Sequence, residues 1–142
     1  MENDTISLLG DCTAGIDMAL STIDGLMGDV KDHVLREKLQ SGAKEHQLLR
    51  KQAVELLGRY GGQEKGANPM AKAMSWLKTN GKMTFGDDTT AADLVANGCD
   101  MGVRSLSKSR NKFSFAKEDA IDLAQELIRC EEALSADMRP YL

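Results

Sequence analysis

One histidine in this chain stands where a leucine is expected. Leu35, Leu39, Gly42, His46, Leu49, Ala53, Leu56 and Tyr60 recur at alternating four- and three-residue steps. That spacing keeps a narrow helical seam turned toward neighbouring helices. A second seam, Ala120, Ala124, Leu127, Glu131, Leu134 and Met138, carries a carboxylate in the same anomalous way. If the two seams meet, His46 and Glu131 can form a hydrogen-bonded pair, a mononuclear metal site completed by Asp17 or Asp100, or the remnant of such a site. Imidazole and carboxylate ligands together suit iron, manganese or zinc. The plainer reading is a buried imidazole satisfied by one partner, fixing helix register as polar core residues do. Both readings stay open at the level of sequence.

Other chemistry finds less support. The cysteines, Cys12, Cys99 and Cys130, are odd in number and show no C-x-x-C spacing, which argues against a disulfide framework or a zinc ribbon. Cys99 and Cys130 fall where small apolar residues pack, and free cysteine is commonly buried. Cys12 is less clearly placed, and a reactive role would need a neighbouring cation to depress its pKa. The sequence shows no nucleophile–base pair, phosphate loop or paired inward carboxylates, so the expectation leans away from an enzyme. Net charge is −4, against a nucleic-acid scaffold, which needs clustered positive charge. Arg104, Lys108, Arg110, Lys112 and Lys117 are the one basic concentration. Their place near a helix C-terminus complements the helix dipole.

These residues need long helices to position them. The first is expected from about Asp4 or Thr5, either serving as N-cap. Its seam reads Ile6, Leu9, Thr13, Ile16, Leu20, Ile23, Met27 and Val30. A short link with Asp32 as N-cap forces the second helix to pack antiparallel, and Gly61-Gly62 ends it. Pro69 then opens a short helix, about Met70 to Thr79. Its Met70, Met74, Trp76 and Leu77 stripe is expected either as a lid on the bundle or as a surface for a protein partner, since methionine-rich faces adapt. The third long helix runs from about Thr90 to Lys112, with Ala92, Val95, Cys99, Gly102, Leu106 and Phe113 inward and Leu94 and Met101 beside them. Gly98 and Gly102 weaken it by about 1 kcal/mol each relative to alanine, and close approach of a neighbouring helix is the expected compensation. The fourth runs from Lys117 to about Met138, flanked inward by Leu123, Ile128 and Cys130, and Pro140 ends it.

At 142 residues, with 42% hydrophobic and 28% charged positions, the chain fits one domain over residues 1–142 with a sizeable core. Four amphipathic helices imply an all-α four-helix bundle. The second helix, about 26 residues and roughly 39 Å long, is short enough for the segment from Gly61 to about Thr89 to travel its length. One long crossover between two short-looped hairpins is the ferritin-like arrangement; an end cap on a simple up-down bundle is the other. The opening Met-Glu-Asn-Asp is acidic and no long apolar run follows. No segment is expected to reach the roughly 20 apolar residues of a membrane span, so a cytoplasmic location is expected.

The paired seams, the long middle connection and the ending Leu127-Ile128-Arg129-Cys130-Glu131-Glu132-Ala133-Leu134 resemble a bacterial branch of the ferritin-like bundles. The resemblance implies a homo-oligomer and, in di-iron members, a carboxylate from each of two helices with Glu-x-x-His from the other two. That motif does not carry over. Ala43 stands three residues before His46, Leu134 three after Glu131, and the first seam holds no carboxylate. The resemblance therefore implies a non-enzymatic binding or structural bundle without an intact di-iron site. The alternative is a metal-binding protein in metal handling or oxidative-stress defence, built on His46 and bundle carboxylates.

Overall fold

The computed structural model describes residues 2–63 and 87–142, with side chains from residue 4 onward. Four α-helices and a final 3-10 turn, Arg139–Tyr141, account for the regular structure of the described residues, with no strand among them. The helices are α1 (Glu2–Met27), α2 (His33–Arg59), α3 (Asp88–Lys112) and α4 (Glu118–Met138). The expected short helix of about Met70 to Thr79, and with it the Met70, Met74, Trp76 and Leu77 stripe, lies outside the described residues.

Local chemistry sets the boundaries. The Asp32 carboxylate accepts the Leu35 amide at 2.9 Å and starts α2; Asp87 accepts the Thr90 amide at 2.7 Å and starts α3. At the end of α2, Gly61 takes φ +77°, its amide donates to the Gly58 carbonyl, and the Gly62 amide donates to the Leu57 carbonyl. These are the two bonds of a Schellman stop, which requires a left-handed residue after the cap. The expected start of α1 is corrected. The helix already begins at Glu2, and Asp4 and Thr5 are spent on a distant partner instead of their own first turn. Asp4 accepts the Phe115 amide at 3.1 Å and Thr5 the Lys117 amide at 2.8 Å. The N-cap of α4, Lys117, has no side-chain cap of its own, so α1 supplies it.

Cross-helix contacts give the topology. Asp17 meets Arg50, Asp11 meets Ser109, Asp100 meets Ser135, and His46 meets Glu131. Tyr60 meets Asp119 and Gly62 lies against Ile6. Early residues of one helix face late residues of the next at Ile6 and Gly62, Asp11 and Ser109, Asp119 and Tyr60, and Gln125 and Arg110, so α1–α2, α1–α3, α2–α4 and α3–α4 all pack antiparallel. Consequently α2 and α3 run parallel on a diagonal. The end of α2 lies beside the start of α4 through Tyr60 and Asp119. The start of α3 lies at the opposite end, where Asp88 accepts the Lys31 and Asp32 amides at 2.7 and 2.9 Å. Residues 63 and 87 thus stand at opposite ends of the bundle.

The core divides into two apolar clusters. One gathers Leu8, Leu9, Ile16, Leu49, Leu57, Leu106, Leu123 and Leu127; the other gathers Leu26, Leu35, Leu39, Val95, Leu134 and Met138. Buried positions of α2 and α4 follow the expected seams, except that Leu57 replaces Leu56 as the fully buried residue. In α1 the seam is broader than expected. Leu8, Cys12 and Leu26 are fully buried, while Leu20 and Met27 are only partly so. A helix touching α2, α3 and the diagonal α4 needs a wider apolar face than one seam provides. The expectation of no membrane-length segment is also corrected. Asp4–Met27 is long and apolar enough to cross a membrane by length and composition, with a mean hydropathy of 1.2, and 44% of that window is buried within the bundle.

Gly61→Ala is expected to destabilise the protein by about 1 kcal/mol, because an L side chain is strained at positive φ. Urea unfolding checks it; an unchanged midpoint would mean that the stop does not hold α2.

Candidate functional site

The seams of α2 and α4 meet at the boundary between the two clusters. His46 is fully buried and Glu131 is 3% exposed, and His46 Nε2 lies 3.0 Å from Glu131 Oε1. On the other side of the ring, Nδ1 is 2.8 Å from the Gly42 carbonyl oxygen. A carbonyl only accepts, so Nδ1 carries a proton. The sulfur of Cys130 lies 3.7 Å from the same nitrogen, and its thiol donates to Glu45 Oε2 at 3.5 Å.

Charge follows from this geometry. Burial works to lower the His46 pKa, but contact with Cys130, the hydrogen bond to Glu131 and the Glu131 charge outweigh it and push the pKa from 6.5 up to about 10. At neutral pH the ring is an imidazolium donating from both nitrogens, one to Gly42 and one to the Glu131 carboxylate. Gly42 has a second use: a Cβ there would lie 2.9 Å from Leu134 Cδ1, so glycine lets Leu134 pack directly on α2 one turn from the pair.

On the far side of Glu131 the helices stand apart. An apolar groove of about 440 Å³ runs between α1 and α3, with Glu131, Leu106 and Leu134 in its floor. Its walls are small residues, Ala14, Gly15 and Ala19 facing Gly98, Gly102 and Ser105, with Met18 and Met101 at its edge. The volume lies within the roughly 300–1,000 Å³ of small-molecule sites. Gly102 sits over the carboxylate, where a Cβ would be 3.4 Å from Glu131 Cδ. Gly98 and Gly102 line the open space beside α1, and the neighbouring helix that comes near Gly102 is α4, through Glu131. Ser109 donates to Asp11 at 2.8 Å toward one end of the groove.

Of the four expected metal-site residues, the structure brings together His46 and Glu131 and leaves the other two elsewhere. Asp17 accepts from Arg50 Nε at 2.6 Å on the α1–α2 edge. Asp100 is exposed on α3 and accepts from Ser135 at 2.8 Å. Among the described residues no group of three or more His, Cys, Asp or Glu side chains is arranged to hold a metal ion. The site does not fit a di-iron centre. The three thiols are free and buried. Burial first, and then the Asp11 charge, push Cys12 up to about 12; burial and Glu131 likewise raise Cys99. Neither has the depressed pKa of a reactive thiolate. Sequence reasoning missed Cys99 and Cys130 as polar neighbours of the pair. Both were on or beside inward seams, so their burial was legible and their companions were not.

Truncation of one partner strands the other. His46→Ala is expected to cost about 3–5 kcal/mol by leaving Glu131 buried and unpaired, whereas replacing the pair together, with His46→Leu and Glu131→Met, recovers most of that loss. Denaturant midpoints of the three variants check this; equal losses in single and double variants would rule out a coupled pair. The pH dependence has a defined sign. With the folded pKa above the unfolded value, the native chain holds the extra proton between about pH 6.5 and about 10. The contribution is complete below about 6.5 and fades as pH rises toward 10, so unfolding free energy falls across that window in wild type and less in His46→Leu/Glu131→Met. No family model, no curated protein and no solved structure matches this chain.

Proposed function

We propose that this protein is a non-enzymatic binding bundle that takes an elongated apolar small molecule into the α1–α3 groove. The observation that carries this reading is the groove itself, about 440 Å³ of largely apolar space walled by small side chains. Polar groups at a ligand site orient a bound molecule, and Glu131 in the floor is such a group. The parallel course of α2 and α3, with residues 63 and 87 at opposite ends, supports a ferritin-like connectivity of two hairpins joined by one long crossover. Bundle cores are a recurrent place for ligand sites.

Nile red, an uncharged apolar dye, provides the test. Wild-type protein is expected to enhance its fluorescence saturably, at one dye per chain. Gly15→Leu fills the groove, since a Cβ at Gly15 meets nothing within 4 Å, and removes the signal. The same substitution is expected to raise stability by up to about 1 kcal/mol through helix propensity. Linear, unsaturable enhancement, or full dye binding by the folded variant, would refute the reading.

Metal handling is the second reading: an ion would replace the proton between His46 Nε2 and Glu131, leaving a neutral imidazole and a carboxylate, ligand types that suit iron, manganese or zinc. It expects protein purified without added metal to retain one of these elements by mass spectrometry, and His46→Ala to release it. Metal-free wild type whose stability is indifferent to chelator excludes it.

A further inference from the structure

We infer that the occupant of the groove is an uncharged amphiphile, a long apolar tail with a single hydrogen-bond-donating head such as an alcohol, whose head is held by Glu131. This rests on the binding reading above and adds the chemistry of the ligand. Three observations carry it. The charged residues lining the groove are both acidic, Asp11 and Glu131, with no lysine, arginine or histidine among the described lining residues. An anionic head such as a fatty-acid carboxylate would therefore find no cationic side chain among them to pair with, and its burial there is costly. Secondly, the Glu131 carboxylate gives Oε1 to His46 at 3.0 Å, also takes a hydrogen bond from the Cys99 thiol, and lines the groove beside Gly102. A carboxylate oxygen in that position accepts from a ligand O–H or N–H. Thirdly, the imidazolium of His46 already neutralises the Glu131 charge, so the floor offers a hydrogen-bond acceptor without the net negative charge that an ammonium head would need. Shape agrees with the chemistry. The α1 wall from Asp11 to Thr22 spans roughly 16 Å at about 1.5 Å per residue, long and narrow enough for an extended alkyl tail.

The test displaces Nile red from full-length wild-type protein with three probes sharing one tail: dodecanol, dodecanoate and dodecylamine. Dodecanol is expected to displace the dye saturably, with dodecanoate at least about tenfold weaker and dodecylamine also weaker than the alcohol. In Glu131→Gln, which keeps an oxygen for the imidazole but loses the carboxylate, the discrimination against dodecanoate narrows. Gly15→Leu abolishes displaceable binding by all three and stays monodisperse in sedimentation. Saturable dye binding with dodecanoate equal to or tighter than dodecanol overturns the inference while leaving the binding reading intact. So does equal discrimination in folded Glu131→Gln. Absence of saturable dye binding overturns both. A Gly15→Leu variant that loses stability, or changes its state of association, also overturns both, by showing the groove filled by the chain itself or by a second copy.

Discussion

The imidazolium–carboxylate pair between α2 and α4 is the constraint around which this bundle is arranged. It lies where one apolar cluster ends and the other begins. Leu49 and Leu127 belong to the first, Leu39 and Leu134 to the second, and His46 and Glu131 stand between them. Two charges in that position are tolerable only when both are satisfied, since a buried ion pair gains little over apolar packing and an unpaired charge costs several kcal/mol. Every neighbour serves that end. The Gly42 carbonyl takes the proton on Nδ1, Glu131 takes the one on Nε2, and Leu134 closes over glycine where a larger residue would hold α2 away. A one-residue slip of α2 against α4 would carry the imidazolium away from Glu131 and break the hydrogen bond that crosses between the helices. The pair therefore specifies register, which an all-leucine seam does weakly.

Polar contacts at the two ends complement that central lock. At one end Asp88 gathers the amides of the α1–α2 turn. At the other, Asp4 and Thr5 accept amides of the α3–α4 turn, and the Tyr60 hydroxyl donates to Asp119 at 3.0 Å. Each link joins one hairpin to the other, so the hairpins are tied at both ends and in the middle. Between those ties α1 and α3 are separated by small side chains, and there the groove opens.

How much of this was legible from sequence depends on the kind of interaction. The seams of α2 and α4 each face mainly one partner, so their period was enough to place His46 and Glu131 inward and toward one another. In α1 the same rule failed at Leu8, Cys12 and Leu26, because a helix with three neighbours buries residues off any single seam. Asp17 and Asp100 carry the right chemistry for a metal site but lie beyond their seams, and each found a nearer partner in Arg50 or Ser135. Asp4 and Thr5 match an N-cap pattern that is purely local, and a tertiary use overrode it. The groove had only an indirect signal, the glycines of α3, since periodicity records which side chains point inward and not how much space they leave.

That signal nevertheless says something about why the groove exists. A glycine inside a helix costs about 1 kcal/mol relative to alanine, and such a cost is ordinarily offset by contact that only glycine permits. Gly42 meets that description, with Leu134 pressed against it. Gly15 does not, since a side chain there would meet nothing within 4 Å, and at Gly102 a Cβ would make ordinary contact with Glu131. Alanine at both positions would strengthen the helices without a clash and cover the carboxylate further. Packing and stability therefore account for Gly42 but leave Gly15 and Gly102 without a structural return. What these two glycines do secure is open volume above Glu131, so the sequence forgoes helix stability at the one place where the buried pair meets a space large enough to hold a ligand.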